Sequence, residues 1–529
     1  MKKRLLAVLL AAVMVTGMVA CGGNDSGSNT GDTGNNNSNT GNTGNNNSTG
    51  GSTDDGNTDD GNTDDGGEDQ GGGTDEASYD FGGAVVRVSG GYFGDLNESS
   101  AGSVEYERKW EIMHQVEEKY NIKVEYTNLE GDDGWSTQDA ILAGITSGEA
   151  YADIFCQGDD IVVGLREYLE DITNDVDQLQ MGSIYVEAGT WAGHTYGWTY
   201  DNMGSVYALV YSREYLDSIG MDKTPTDMFE EGKWSYDDAI EYLTELKSKL
   251  PTDTYPIGVH TNHWVSMAPA ANGVVSVDSN GNIHMTDPAY CSALDFYKQL
   301  LELGLAYPIT DVYPDPEGSG GLYSTQTYSL DTLSRVGNPG THVISMAEAW
   351  QMGGLLGSIG EWGIVPWPWD PQYVSVSGDY TTLSDGYKVA QSIWTDVLVP
   401  KAEYRGAGAK DIPGIVLHLI AKDFVDWCAA DGAAARLAMF QAEQAGQDYV
   451  NLGYNPGSLD TFCTEQDVAI YDWLHSRVMC DWGHSMQSNG YVLVNRNAAY
   501  VIAYGDDSRS SGESFQASGD AAMKDAGFK

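Results

Sequence analysis

The sequence predicts an α/β protein whose body divides in two, and two observations carry that prediction. Strand-like and helix-like patterns alternate along the first part of the body, the order that builds a largely parallel sheet. Residues from about 79 to 529 are long for one domain and natural for two. A third observation says where that body is sent, because the chain opens with an export pattern.

Met1-Lys2-Lys3-Arg4 is basic, Leu5 to Met18 is almost wholly apolar, and Met18-Val19-Ala20-Cys21 supplies a small-residue cut site. That order is a secretory signal. Its apolar run is short of the roughly 20 residues a bilayer span needs. The cut directly before a cysteine resembles the lipobox of bacterial lipoproteins, although Met18 stands where leucine is usual. The resemblance implies a signal peptide over 1–20, with Cys21 as the lipidated first residue of the mature chain and a lipid bilayer as its partner.

Residues 21–78 form a tether. Beyond Cys21 they are Gly, Asn, Ser, Thr and Asp with almost no apolar residue, and Thr53-Asp54-Asp55-Gly56-Asn57 recurs as Thr58-Asp59-Asp60-Gly61-Asn62. Such a stretch cannot bury enough surface to offset its ordering entropy and is expected to be disordered. A Gly-rich coil of this length reaches roughly 40 Å, enough to lift a domain off a lipid surface. The Asp-Asn-Gly repeats do not read as calcium loops. No frame has both a glycine at the sixth position and a glutamate at the twelfth.

The chain carries 27 basic and 78 acidic residues, a formal charge of -51. With signal and tether set aside, the body keeps about 66 acidic against 24 basic residues. Nucleic acid is not expected as a partner, since phosphate contacts need clustered Lys and Arg. Beyond Cys21, five cysteines remain (Cys156, Cys291, Cys428, Cys463 and Cys480), odd in number and widely spaced. No Cys-x-x-Cys pair signals zinc or redox chemistry. His260 and His263 have no third ligand at a recognised spacing, so no metal and no cofactor is expected.

Along the body, Ala84–Ser89 reads as a buried first strand and Gly90 to Gly94 as the loop after it. Glu105 to Tyr120 places Trp110, Met113, Val116 and Tyr120 on one helical stripe. Ile122 to Tyr126 alternates like a strand. Ala140 to Thr146 is helical and stops at Ser147-Gly148. Asp153 to Cys156 is a short strand, and Ile257-Gly258-Val259 another.

Gln138 to Ile154, a helix ending at Ser147-Gly148 before Ala152-Asp153-Ile154, resembles a signature of extracellular solute-binding proteins of the sugar-binding type, the family 1 lipoproteins of ABC transporters. Further resemblances follow in that family's order. They are His194-Thr195-Tyr196-Gly197, Leu209 to Leu216 with Ile219-Gly220, Trp234 to Ala239, Asp278 to Gly304, His342 to Trp350, and Trp362-Gly363-Ile364-Val365-Pro366. They cover about 84 to 440 well and the remainder loosely. Ser212-Arg213 departs from the family's Asn-Lys, and segments 311–321 and 472–482 have no counterpart.

The resemblance implies a two-lobed periplasmic-binding-protein-like (Venus-flytrap) fold. Each lobe is a mostly parallel sheet flanked by helices, and the hinge is crossed more than once. It implies lobe 1 from 79–195 with 335–385, and lobe 2 from 196–334 with 386–529. It further implies a carbohydrate ligand held between the lobes and handed to the membrane permease subunits of an ABC transporter, at the outer face of the bacterial cytoplasmic membrane. Sugar rings pack on aromatic faces, and their hydroxyls pair with carboxylates and amides. The expected ligand residues are Trp350, at the family's Gly-Ser-Trp position; Gln157, Asp159 and Asp160, after the Asp153 strand; Trp264; Trp198 and Tyr196, at the predicted lobe crossing; and Tyr92 and Phe93, after the first strand, where open α/β sheets place ligands. Trp367 and Trp369 alternate with prolines and read as packing. No catalytic residue is expected. The competing reading of an acidic, aromatic-rich exported chain is a glycoside hydrolase, which needs two carboxylates at a set separation. The sequence marks no such pair, and Gly483-His484-Ser485-Met486-Gln487 lacks the closing glycine of a nucleophile elbow. A non-sugar ligand such as a peptide stays open.

Overall fold

The computed structural model describes residues 79–90, 93, 96–98, 101–102, 104–127, 138–157, 160–199, 204–206, 208–258, 267–307, 340–347, 361–393, 396–428, 441, 464–482, 497, 501–502 and 505–525. The chain divides into two units, Met1–Ala77 and Ser78–Lys529. All described residues belong to the second, so the leader, Cys21 and the tether lie outside them.

In chain order the body runs β1 (Ala84–Ser89), α1 (Val104–Tyr120), β2 (Ile122–Tyr126), α2 (Gln138–Ser147), β3 (Ile154–Gln157), α3 (Asp160–Leu165) and α4 (Ser183–Glu187). Four short strands follow: β4 (Thr190–Trp191), β5 (His194–Thr195), β6 (Gly197–Trp198) and β7 (Gly204–Val206). Next come β8 (Ala208–Ser212), α5 (Arg213–Ser218), α6 (Pro225–Glu230), α7 (Tyr236–Lys249), β9 (Tyr255–Gly258) and α8 (Pro288–Glu302). The chain continues with β10 (His342–Ala347), β11 (Trp362–Val365), β12 (Val389–Ile393), β13 (Asp396–Leu398), α9 (Gly414–Cys428), α10 (Glu465–His475), β14 (Val478–Cys480) and α11 (Ser508–Asp525).

The first sheet has the order β2-β1-β3-β13-β6. β1 pairs in parallel with β2 and β3, as the strand–helix alternation requires, and β13 joins antiparallel to β3 and β6. Successive side chains of a strand point to opposite faces. Val86, Val88, Ile122, Val124, Ile154 and Cys156 accordingly share one buried face. Two helices cover it. α1 contributes Ile112, Met113, Val116 and Tyr120, and α9 contributes Leu417, Ile420, Ala421 and Phe424. Tyr120 also donates its hydroxyl to Asp423 at 2.6 Å, which ties α1 to α9.

The second sheet has the order β11-β8-β10-β9. β8 is buried along its whole length, the signature of a central strand covered on both faces. The start of α7 is legible in Trp234-Ser235-Tyr236-Asp237-Asp238. Ser235 caps the helix and Asp238 returns the bond to the Ser235 N–H at 3.1 Å, a capping box. Such a cap contributes about 1 kcal/mol. Ala239, Tyr242, Leu243 and Leu246 then recur at helical spacing on the buried face.

A third sheet, β14-β12-β7, lies at the passages between the other two. The chain leaves the first sheet after β6, passes through β7 and enters the second at β8. It returns through β12 to β13. β7 and β12 are antiparallel partners, Gln391 opposite Val206 and Ile393 opposite Gly204. These two crossings are thus hydrogen-bonded to each other, and the chain changes lobe again between α9 and α10, so the hinge is crossed more than once.

The sheets redraw the expected lobe boundaries. Residues 335–385 were expected in lobe 1, but β10 and β11 both pair with β8 in the second sheet. Residues 386–529 were expected in lobe 2; within them β13 pairs with β3 and α9 packs on α1 in the first lobe, whereas Asp467 of α10 pairs with Arg213 and Ser508 of α11 with Asp295. The physical reason is order of return. The chain completes the second sheet before crossing back, and that crossing is β12 to β13.

Candidate functional site

In open α/β sheets, ligands bind beyond the carboxyl ends of the parallel strands. The strand registers fix where those ends are. Ser89 pairs with Phe155, so β1 and β3 end on the same edge of the first sheet. Asp396, the first residue of β13, pairs with Gln157, the last of β3. In the second sheet β9 and β10 run parallel. Ala208, the first residue of β8, pairs with Ala347, the last of β10. β13 is entered from β12 and β8 from β7, the two paired hinge strands. The end of β3 and the end of β10 therefore both lie beside strands entered from the same hinge.

Buried charge holds the first edge in place. Asp153, directly before β3, is fully buried. Its carboxylate accepts from Arg87 Nε at 3.1 Å, Arg87 Nη2 at 2.9 Å, the Arg87 backbone N–H at 2.9 Å and the Gly406 N–H at 2.7 Å. The bond to Asp153 raises the Arg87 guanidinium above its ordinary value, with burial acting against it. The Ala-Asp-Ile signature thus has a structural cause: its aspartate fastens β3 to β1 and to the returning chain. A side chain on Gly406 would run into the Arg87 guanidinium.

The second lobe has a matching device. Arg213 donates to Asp467 at 2.6 Å and to the Trp362 carbonyl at 3.2 Å. Asp467 also accepts from Thr464 Oγ1 at 2.6 Å and from the Ile364 N–H at 3.2 Å. Burial raises the Asp467 carboxyl even with Arg213 beside it. The departure at Ser212-Arg213 is therefore structural. Ser212 caps α5 by accepting from the Tyr215 N–H at 3.1 Å, and Arg213 ties β8 to α10. The sequence carried a signal for half of this, since Thr464-Glu465-Gln466-Asp467 reads as a helix start.

Tyr92, Asp159, Trp264 and Trp350 lie outside the described residues. In the sequence they follow the carboxyl ends of β1, β3, β9 and β10, which run parallel to one another within each sheet. Gln157 closes β3, and Asp160 opens α3. Phe93 and Trp198 sit elsewhere. Phe93 is buried with its ring stacked on Phe424, centroids 5.5 Å apart, and Trp198 is buried opposite Val397 in the first sheet. Core packing accounts for both rings. Tyr196 is half-buried between β5 and β6, its ring 6.3 Å from His194, and burial raises its phenol. Trp367 and Trp369 are buried in the second core.

Segment 311–321, His260, His263 and Gly483 to Gln487 lie outside the described residues. Segment 472–482 completes α10 and the hinge strand β14. Among the described residues no group of His, Cys, Asp and Glu is placed to hold a metal ion. Among them, too, no helix is long and apolar enough to cross a membrane.

No protein-family description matches the chain, and no curated protein matches it as a sequence. Solved structures do match it as a fold. The sugar-binding protein MalE from the phytopathogen Xanthomonas citri is similar over 83% of this chain and 98% of its own, at 13% identity and a TM-score of 0.51. The galacto-N-biose/lacto-N-biose I-binding protein of the ABC transporter from Bifidobacterium longum, in complex with lacto-N-biose, is similar over 84% and 98%, at 15% identity and a TM-score of 0.50. The body therefore has the two-lobed fold of periplasmic binding proteins.

Proposed function

We propose that the chain is a lipid-anchored extracellular solute-binding protein. It captures a sugar or oligosaccharide between its lobes and delivers it to the permease of an ABC transporter, without altering it. The observation that carries this reading is the convergence of strand ends from both sheets on one hinge. Two fold neighbours that bind sugars support it. Ligand favours the closed arrangement because only there do both lobes touch it. Hinge closure of this kind is established for periplasmic binding proteins.

In this reading Trp350, Trp264 and Tyr92 supply aromatic faces, with Tyr196 beside the crossing. Gln157, Asp159 and Asp160 supply hydroxyl partners. The test is intrinsic tryptophan fluorescence of the body titrated with a panel of mono- to oligosaccharides. One class of glycan is expected to change the signal, and a flat response across the panel would overturn sugar binding. In the same titration Trp350→Ala is expected to weaken binding by about 1–3 kcal/mol, the range of an aromatic hot spot. Unchanged affinity would move Trp350 out of the site. Cys21→Ser is expected to shift the protein from the membrane fraction to the soluble fraction, and retention on membranes would contradict the anchor.

A further inference from the structure

The hinge strands are not the only link between the lobes. The hairpin β4–β5 belongs to the first lobe by its hydrogen bonds. Ile172 N–H donates to the Thr195 carbonyl at 2.8 Å, and Thr195 N–H donates to Thr173 Oγ1 at 2.9 Å. Glycine is required at its base, because any side chain on Gly189 would collide with the Gly197 carbonyl of β6. At its tip Ala192 and Gly193 both take positive φ, 51° and 79°, which turns the chain sharply outward. The tip meets the second lobe. Ala192 N–H donates to the Ser279 carbonyl at 2.7 Å.

Beside that bond the Trp191 and Trp482 rings meet edge to face, centroids 5.1 Å apart and interplanar angle 68°, both nearly fully buried. The ground under Trp482 is firm. Its backbone N–H donates to the Val277 carbonyl at 3.1 Å. Asp481 next to it is fully buried and accepts from Ser276 N–H at 3.0 Å, Ser276 Oγ at 2.7 Å and Val277 N–H at 3.2 Å. Trp482 stands two residues after the end of β14 of the hinge sheet.

We propose that the β4–β5 hairpin is a strut, seated on the second lobe through Trp191–Trp482 and Ala192–Ser279, about which the lobes pivot. The contact is buried, so separating it would expose two indole rings to water. The contact therefore persists whether the lobes are open or shut, and it confines their motion to a rotation that keeps Ser279 beside Ala192. Only the ligand arm of the test below rests on the sugar reading.

The test places cysteines at Ala192→Cys and Ser279→Cys in the full chain. It follows their linkage by a short thiol–thiol reagent, read by peptide mass spectrometry. The two residues are joined by a backbone hydrogen bond of 2.7 Å, which brings their side chains within reach of such a reagent. Linkage is expected to be rapid without any ligand. It is expected to slow at least ten-fold when Trp482→Ala is added and to recover with Trp482→Phe, which keeps a ring. Trp191→Leu gives the same reading from the hairpin side should Trp482→Ala fail to fold. An unchanged rate in the ring-deletion variants would overturn the strut. In the ligand arm, a saturating glycan from the fluorescence panel is expected to leave the rate within two-fold. A ten-fold change would show that the contact is made in one state only and is no pivot. If no glycan binds, the sugar reading fails while the ligand-free arm still decides the strut.

Discussion

Asp153→Ala is expected to lower the stability of the first lobe by about 3–5 kcal/mol, the cost of removing one partner from a buried, hydrogen-bonded ion pair. The change leaves the Arg87 guanidinium in a site built for a carboxylate, and it strips the acceptor from two backbone donors, Arg87 and Gly406. Its consequence spreads because three segments meet there: β1, β3 and the chain returning after β13. Asp153→Asn keeps one acceptor oxygen and is expected to lose less. Denaturant unfolding, followed by a signal from each lobe, reads both variants. A loss below about 1 kcal/mol for the alanine variant would mean that the pair does not hold the edge of the sheet.

The second large effect is on acid stability. Burial pushes the His342 imidazole down to about 4 and that of His418, which also lies near Arg405, down to about 3. A histidine held low is neutral in the folded protein and takes up a proton on unfolding once the pH is below its ordinary value near 6.5. Its contribution is complete above about pH 6.5, declines as the pH falls and levels off below the folded value. Between pH 7 and pH 5 each histidine is expected to remove about 2 kcal/mol. His342 lies in the second sheet and His418 in α9, so both lobes weaken. Carboxyls lowered by the fold, such as Asp80 through its bond with Asn121, lose their contribution only below about pH 4. Asp467, raised by burial, has the opposite sign and gives stability back on acidification. His418→Leu isolates one histidine. The variant is expected to lose about 2 kcal/mol less than the parent between pH 7 and pH 5, and equal losses would show that His418 is not held neutral.

The first half of the first sheet was legible residue by residue. The alternation in Ala84–Ser89 and Ile122–Tyr126 and the Ser147-Gly148 stop are local signals, and the strands and helix end where these place them. Gly148 takes φ 106°, the conformation that makes glycine a helix stop. What the sequence could not show was long-range pairing. Nothing in Asp396-Val397-Leu398 says that it returns to β3 while the preceding β12 belongs to the hinge. The lobe boundaries were misplaced for that reason.

The proposed site reads from the sequence as a set of strand ends rather than as side chains. An aromatic residue after a strand reads the same whether it faces a cleft or a core, since both demand apolar surface. Phe93 and Trp198 went to the core, where Phe424 and the β13 strand cover them. Trp191 and Trp482 carried no signal at all, because 291 residues of sequence separate them and only the fold brings the rings together.

Small-angle X-ray scattering from the body Ser78–Lys529, with and without a saturating glycan selected by fluorescence, tests the central claim most directly. The account predicts a smaller radius of gyration in the presence of glycan, with the glycan recovered uncut. An unchanged radius at saturation, or a cleaved glycan, would contradict it.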